Sequence, residues 1–108
     1  MITLFENWDS KLKTYNSKSN IRVDAWLQIN EDDMDKTQVI IDFIEVPIEE
    51  RFNGKGRKEV NKIINWAKEE GANEINIESK REAIPFWKRL GFEILDQGSE
   101  ISSGWLKL

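Results

Sequence analysis

The segment RFNGKG, residues 51–56, is the part of the sequence best suited to binding an anion. Glycines permit a tight turn and a close approach of the backbone to a ligand. A helix is predicted directly after the segment, so its first N–H groups and the positive end of its dipole would face that ligand. Four basic residues add positive charge here: Arg51, Lys55, Arg57 and Lys58. The segment therefore predicts a phosphate site, best suited to a pyrophosphate.

Two familiar phosphate-binding patterns do not fit this segment. A Walker A loop requires GxxxxGK[ST], and Lys58 does not follow a suitably placed glycine. A dinucleotide fingerprint requires Gly or Ala where this chain has Glu59, and a charged side chain there is expected to disturb the packing of the helix on the sheet. One further interpretation stays open: the segment is a strand-to-helix turn that needs small residues and binds nothing.

The composition removes several classes of chemistry. The chain has 108 residues, which predicts a single domain, and it contains no Cys and no His. Disulfides, thiolate zinc sites, Cys nucleophiles and any histidine base are therefore excluded. No stretch is apolar enough to span a membrane, and the acidic start of the chain, with Glu6 and Asp9, is unlike a signal peptide. We expect a cytoplasmic protein that holds no metal.

The net charge of −4 is distributed unevenly along the sequence. Residues 1–50 carry 11 Asp/Glu and 5 Lys/Arg, whereas residues 51–108 carry 9 and 11. This balance is not basic enough to predict direct binding of nucleic acid. An acidic half beside a mildly basic half suits a cationic partner on one side and a phosphate ligand on the other, although ordinary surface charge explains it equally well.

Hydrophobic periodicity predicts a mixed α/β or α+β sheet of about five strands with crossover helices. An N-terminal helix is predicted because Phe5, Trp8, Leu12 and Tyr15 recur at steps of three or four residues. A nearly continuous apolar run, broken by Asp42 and Glu45, predicts a strand buried on both faces. The predicted boundaries are a helix over Thr3–Ser17, strands over Ile21–Asn30 and Thr37–Val46, a helix from the glycine-rich segment to Gly71, a strand over Glu74–Ser79, a helix over Arg81–Leu90, and strands over Phe92–Asp96 and Gly104–Leu108.

Two segments of this chain resemble motifs of the GNAT superfamily of N-acetyltransferases. The acetyl-CoA loop of that family, [QR]-x-x-G-x-[GA], is matched by Arg51, Gly54 and Gly56, and Val46 lies five residues before it. A later pattern, A-x-x-[FY]-[YW]-x-x-L-G-F, is matched by Ala83, Phe86, Trp87, Leu90, Gly91 and Phe92. The resemblance covers residues 37–108. It implies one GNAT-like domain over residues 1–108, in which 37–108 form the acetyl-CoA-binding core and 1–36 a shortened N-terminal part.

The resemblance implies a fold with a built-in cofactor cleft. Two parallel strands separate after a bulge in the buried strand, and the pantetheine arm of acetyl-CoA pairs with the exposed backbone, here expected at Ile44, Glu45 and Val46. The pyrophosphate is expected on the amides of residues 52–57. The cofactor-binding residues implied in this way are Ile44, Val46, Arg51, Phe52, Asn53, Gly54, Lys55, Gly56, Arg57, Lys80, Phe86 and Trp87.

The resemblance also implies direct transfer of the acetyl group to an amine without an acyl-enzyme, which suits a chain that lacks Cys and His. A lysine amine, with a pKa near 10.4, costs about 4–5 kcal/mol to neutralise at pH 7. A carboxylate can accept that proton directly or through water. Asp42 and Glu45 are the candidate catalytic residues. The alternative for each is pairing with a neighbouring arginine or simple exposure to solvent.

Three departures from the family pattern keep a second interpretation open. Trp87 stands where many members have a tyrosine acid, Lys80 stands where they have an asparagine, and about 36 residues precede the buried strand where members carry an additional strand and two helices. A shallow acceptor site would suit a protein lysine, a polyamine or a small amine. The alternative is a catalytically degenerate protein that binds or inhibits a macromolecular partner. Exposed sheet edges leave room for a homodimer.

Overall fold

The computed structural model describes residues 11–45 and 54–108. Within these ranges six strands form one mixed sheet in the order β1-β2-β3-β4-β6-β5, and two α-helices follow β3 and β4. The elements are β1 (Lys11–Thr14), β2 (Arg22–Ile29), β3 (Thr37–Glu45), α1 (Lys55–Glu69), β4 (Glu74–Lys80), a 3₁₀ turn (Arg81–Ala83), α2 (Ile84–Arg89), β5 (Glu93–Leu95) and β6 (Ile101–Lys107). No helix among these residues is long and apolar enough to cross a membrane.

The predicted mixed sheet with crossover helices is confirmed, but the predicted N-terminal helix is wrong where it can be compared. Lys11–Thr14 is a strand that pairs antiparallel with β2, so the sheet has six strands rather than about five. The apolar spacing of Leu12 and Tyr15 is compatible with a helix, but pairing with β2 overrides such a weak local preference. Leu12 is 52% exposed and Tyr15 is buried. Residues 1–10 of that predicted helix lie outside the described range.

The predicted second crossover helix is shorter than expected. It divides into the 3₁₀ turn and α2, with Pro85 in the first turn of α2, where its missing N–H costs no helical hydrogen bond. The last strand begins at Ile101 rather than at Gly104, so the loop between β5 and β6 is correspondingly shorter. Both differences lie at element ends, which hydrophobic periodicity locates least well.

Helix α1 forms as the sequence predicts. Val60, Ile63 and Ala67 lie on one face and are fully buried, which is the spacing of an amphipathic helix on a sheet. The helix begins after Gly54, whose φ of 77° is left-handed, and is followed by Gly71, whose φ is 79°. Glycine adopts this backbone conformation without the steric cost that a Cβ atom imposes.

The hydrophobic core lies between one face of the sheet and both helices. Residues of α1 and Trp87 of α2 share a single cluster with sheet residues. The sheet members of the cluster are Ala25, Leu27, Val39, Ile41, Ile75 and Ile77. Right-handed crossovers that run in the same direction along a sheet place their helices on the same face, as observed here. The helices therefore cover one face only.

Gly104 provides a stability test of this packing. A Cβ atom built at Gly104 would lie 2.5 Å from Ile94 Cδ1, 3.0 Å from the carbonyl oxygen of Glu93 and 3.1 Å from Ile77 Cγ1. Because the backbone oxygen cannot move aside cheaply, we expect Gly104→Ala to lower the free energy of unfolding by about 1–3 kcal/mol. Denaturant unfolding measures this loss. Ser103→Ala, at an exposed position of the same strand, should leave stability within about 0.5 kcal/mol of the parent.

Candidate active site

A bulge in β3 marks the point at which the sheet opens. Ile41 pairs with Ala25, and the next pair along the two strands joins Phe43 to Asp24, so Asp42 is an extra residue without a partner on β2. A bulge of this kind bends its strand and increases the local twist. The parallel pairing of β3 with β4 ends at the same level, at Ile41 and Ile77.

Beyond this level β3 and β4 no longer pair with each other, and each pairs only with its other neighbour. Strand β3 stays paired with β2 through Glu45, and β4 stays paired with β6 through Lys80. We call the resulting gap, between Asp42–Glu45 and Glu78–Lys80, the wedge. Each side of the wedge presents a strand edge with backbone donors and acceptors that no described strand satisfies. Such an edge can pair with an extended ligand that carries amide groups.

The start of α1 lies at the same end of the sheet. The helix begins after the carboxyl end of β3 and packs over β3 and β4 through Val60 and Ile63, which is where open α/β sheets bind their ligands. Gly54 precedes the helix, Lys55 and Arg57 are exposed, and Gly56 is half-buried. The first helical N–H groups and the helix dipole favour an anion at this position. The predicted site residues Val46, Arg51, Phe52 and Asn53 lie outside the described residues.

The two candidate bases differ in their surroundings. Asp42 is the exposed bulge residue at the head of the wedge, and it makes no ion pair within the described part of the chain. Glu45 is exposed at the end of β3, and its Oε1 lies 3.8 Å from Nη1 of Arg22. The guanidinium of Arg22 also lies over the ring of Phe43, 5.7 Å from its centroid. Of the two, Asp42 is the carboxylate that has no cationic partner among residues 11–45 and 54–108.

The remaining predicted cofactor residues are spread over three environments. Ile44 is half-buried on β3 and packs against the core. Lys80 is exposed at the end of β4, on the wedge. Trp87 is only 5% exposed and makes edge-to-face contacts with Phe86 and Phe92, with ring centroids 5.1 Å apart in each case. The structure thus brings Ile44 and Lys80 to the wedge and places Trp87 in the core.

Sequence reasoning missed a buried polar cluster at the first turns of α1. Glu59 is only 2% exposed, and its carboxylate accepts hydrogen bonds from the Tyr15 hydroxyl (2.6 Å) and the Ser19 hydroxyl (3.0 Å). The prediction that a charged residue at position 59 disturbs helix–sheet packing is therefore wrong, because these two hydroxyls replace water as its partners. The one sequence signal was Glu59 itself, an acidic residue one position before the buried Val60.

Tyr15, the only tyrosine of the chain, should make stability sensitive to alkaline pH. Burial, together with the hydrogen bond to Glu59 and the charge of that carboxylate, raises the pKa of Tyr15 above its usual value. The folded state then holds the phenolic proton after the unfolded chain has lost it, so stability falls as pH rises above about 10. We expect no tyrosinate absorbance from the folded protein at that pH and its appearance only with unfolding. Tyrosinate signal from a fully folded sample would contradict this assignment.

The described residues contain no group of three or more acidic, His or Cys side chains arranged to hold a metal ion. The described residues that line the wedge offer backbone amides, carboxylates and lysine or arginine side chains. This set can bind an extended, anionic ligand and accept a proton from a substrate, which is compatible with acyl transfer and requires no covalent attachment to the protein.

Comparisons with known proteins agree with this arrangement. Residues 3–92 match the sequence profile of the acetyltransferase (GNAT) family. No curated protein sequence is significantly similar to this chain.

Several solved structures share the fold. Naa50 of Arabidopsis thaliana, in complex with a bisubstrate analogue, is 21% identical with a TM-score of 0.64, over 80% of this chain and 64% of that protein. An acetyltransferase of Bacillus cereus is 20% identical with a TM-score of 0.63, over 99% and 86%. PaiA N-acetyltransferase of Thermoplasma acidophilum, in complex with coenzyme A, is 14% identical with a TM-score of 0.64, over 88% and 58%. The chain thus spans less than two thirds of the length of Naa50 and of PaiA, and more of the Bacillus cereus protein.

Proposed function

Because this chain belongs to the acetyltransferase (GNAT) family, we propose that it is an acetyl-CoA-dependent N-acetyltransferase acting on a primary amine. The observation that carries the proposal is the wedge between β3 and β4, which opens directly after the Asp42 bulge. The similar structures solved with coenzyme A or a CoA-based bisubstrate analogue support the same cofactor for this chain.

The residues that line the wedge fit the chemistry of this cofactor. The pantetheine arm carries two amide groups, which the backbone edge at Ile44 and Glu45 can pair as a neighbouring strand would. The first turn of α1, with Lys55, Gly56 and Arg57, offers N–H groups and positive charge to the pyrophosphate. When bound, acetyl-CoA supplies an acetyl group activated as a thioester.

Asp42 is the proposed base. The acceptor amine must lose a proton before it can attack, and the exposed carboxylate in the bulge can take that proton directly or through one water. Glu45 lies three residues further along the same wall of the wedge, but its carboxylate already faces the guanidinium of Arg22 at 3.8 Å. Glu45 is therefore the secondary candidate.

A matched pair of substitutions tests this assignment. We expect Asp42→Asn to lower kcat/KM for the amine about 100-fold, because the amide keeps the shape of the side chain but cannot accept the proton. Glu45→Gln should lower it less than tenfold. Initial rates measured across a range of pH provide the comparison, and the loss in Asp42→Asn should shrink as the pH approaches the pKa of the amine. A larger loss in Glu45→Gln would assign the base to Glu45.

The proposed activity can be measured through the free thiol of the CoA product. Each turnover releases one CoA thiol and adds one acetyl group to the acceptor, and the protein contributes no thiol background because it contains no Cys. Incubation with acetyl-CoA, spermidine and a pool of lysine peptides should yield equal amounts of free thiol and acetylated amine. Acetyl-CoA binding without any acetylated amine would instead support the non-catalytic binding protein.

A further inference from the structure

The face of the sheet opposite the helices is uncovered among the described residues. Residues directly opposite one another in a sheet share a face, and successive residues alternate. Trp26 pairs with Ile40, which pairs with Asn76, which pairs with Trp105. None of these belongs to the core cluster, and all four lie on the face opposite Ala25, Ile41 and Ile77. We call this surface the open face.

Three exposed apolar side chains of the open face flank the wedge. Phe43 lies on the β3 side and is 42% exposed, whereas Ile101 and Leu95 lie beyond β4 and are 49% and 53% exposed. Their register fixes the face: Phe43 pairs with Asp24, Ile101 with Lys80, and Leu95 with Ser103. Exposed apolar side chains therefore lie on both sides of the mouth of the wedge.

The open face differs from the usual surroundings of a small-molecule site. Small ligands are held in concave pockets that bury most of their surface. The open face is instead a sheet surface with its large side chains spread over β2, β3, β5 and β6. Phe43, Leu95 and Ile101 stay exposed on this face, and clustered exposed apolar side chains are typical of contacts with macromolecules.

The charges around the wedge favour a cationic partner. On the open face near the wedge, Asp24, Glu45 and Glu78 outnumber Arg22 and Lys80, and the exposed Asp42 adds another carboxylate. Arg22 is already engaged by Glu45 and by the ring of Phe43. A segment that carries apolar and basic side chains around its amine would satisfy both features.

We propose that the acceptor is a protein segment, rather than a free small amine, and that its apolar and basic residues dock on the open face while its amine enters the wedge. This inference rests on the proposed acetyltransferase function and names its substrate class. Phe43, Ile101 and Leu95 provide the apolar contacts, and the carboxylates of Asp24 and Glu78 face the basic residues.

The test uses a pool of blocked peptides, each with one lysine and with flanking residues drawn from Leu, Arg, Gly and Glu, with spermidine as the small-amine probe. Mass spectrometry after incubation with acetyl-CoA identifies the acetylated members. We expect Leu- and Arg-flanked peptides to be acetylated at least tenfold faster than Gly- or Glu-flanked ones. Equal rates for all flanks, or faster acetylation of spermidine than of any peptide, would overturn the inference while leaving the acetyltransferase function intact. No acetylation of any amine would instead refute the function.

Two variants locate the contact. Leu95→Lys/Ile101→Lys places like charges against a basic segment at two exposed positions, where the fold tolerates them. This double variant should slow acetylation of the best peptide at least tenfold more than acetylation of spermidine. Met34→Lys, at a position 77% exposed in the turn between β2 and β3, makes the same kind of change elsewhere and should alter neither rate. An equal loss for peptide and spermidine would show that the apolar pair does not bind the acceptor.

Discussion

Gly56→Glu should abolish measurable binding of acetyl-CoA. Gly56 is in the first turn of α1, where the first helical N–H groups and the helix dipole favour an anion. A carboxylate about 5 Å from a bound phosphate, at an effective dielectric constant of about 20, opposes binding by about 3 kcal/mol per phosphate charge, which is more than a 100-fold loss of affinity. Titration calorimetry with acetyl-CoA measures this loss directly.

Gly56→Ala is the matched control. Alanine adds one methyl group, favours the helix over glycine by about 1 kcal/mol and carries no charge. The acetyl-CoA loop pattern accepts Gly or Ala at this position, so Gly56→Ala should keep an affinity within about threefold of the parent. Equal binding by Gly56→Glu and the parent would show that the phosphate groups are bound elsewhere, or not at all.

Tyr15→Phe should cause the largest loss of stability among conservative substitutions in the described core. It removes the hydroxyl that donates to the carboxylate of Glu59 at 2.6 Å and leaves the Ser19 hydroxyl as the remaining donor among the described residues. Hydrogen bonds to charged groups contribute about 1.5–3 kcal/mol, so we expect a fall in Tm of about 8–20 °C. Thermal unfolding followed by circular dichroism gives the value.

The pH dependence separates this contribution from a simple loss of packing. We expect the stability of the parent protein to fall above about pH 10, because burial and Glu59 raise the pKa of Tyr15 in the folded state. Tyr15→Phe lacks the group and should lose that alkaline decline. Glu59→Gln keeps an oxygen acceptor for Tyr15, so it should cost less than Tyr15→Phe. A Tyr15→Phe protein with an unchanged Tm would show that the cluster contributes little to stability.

The sequence predicted the elements whose signals are local. The apolar run of β3, the spacing of Val60, Ile63 and Ala67, and Gly71 after the helix each depend on neighbours within one strand or turn. Strand β1 was not predictable in this way. Its four residues contain too few alternations of apolar and polar side chains to be distinguished from a helical pattern. Its conformation depends on pairing with residues of β2 that lie 12 to 17 positions away along the chain.

In the candidate site, too, the features with local signals were predicted and those that depend on distant residues were not. Asp42 and the start of α1 were predicted from one continuous segment, and the structure places both at the carboxyl end of β3. The burial of Glu59 was not predicted, because its partners Tyr15 and Ser19 are 44 and 40 residues away. The composition of the open face was likewise not predictable from the sequence. Which side of the sheet Trp26 and Trp105 occupy follows from strand register, which residue type alone does not define.

Hydrogen exchange with and without acetyl-CoA tests the central claim most directly, since it reports where the cofactor binds as well as whether it binds. Amides whose strand edge is unpaired exchange quickly until a ligand pairs with them. We predict that acetyl-CoA slows exchange in Asp42–Glu45 and in the first turn of α1, and leaves the turn between β2 and β3 unchanged. Slower exchange confined to other segments, or no change at a saturating concentration, would contradict the assignment of the wedge as the acetyl-CoA site.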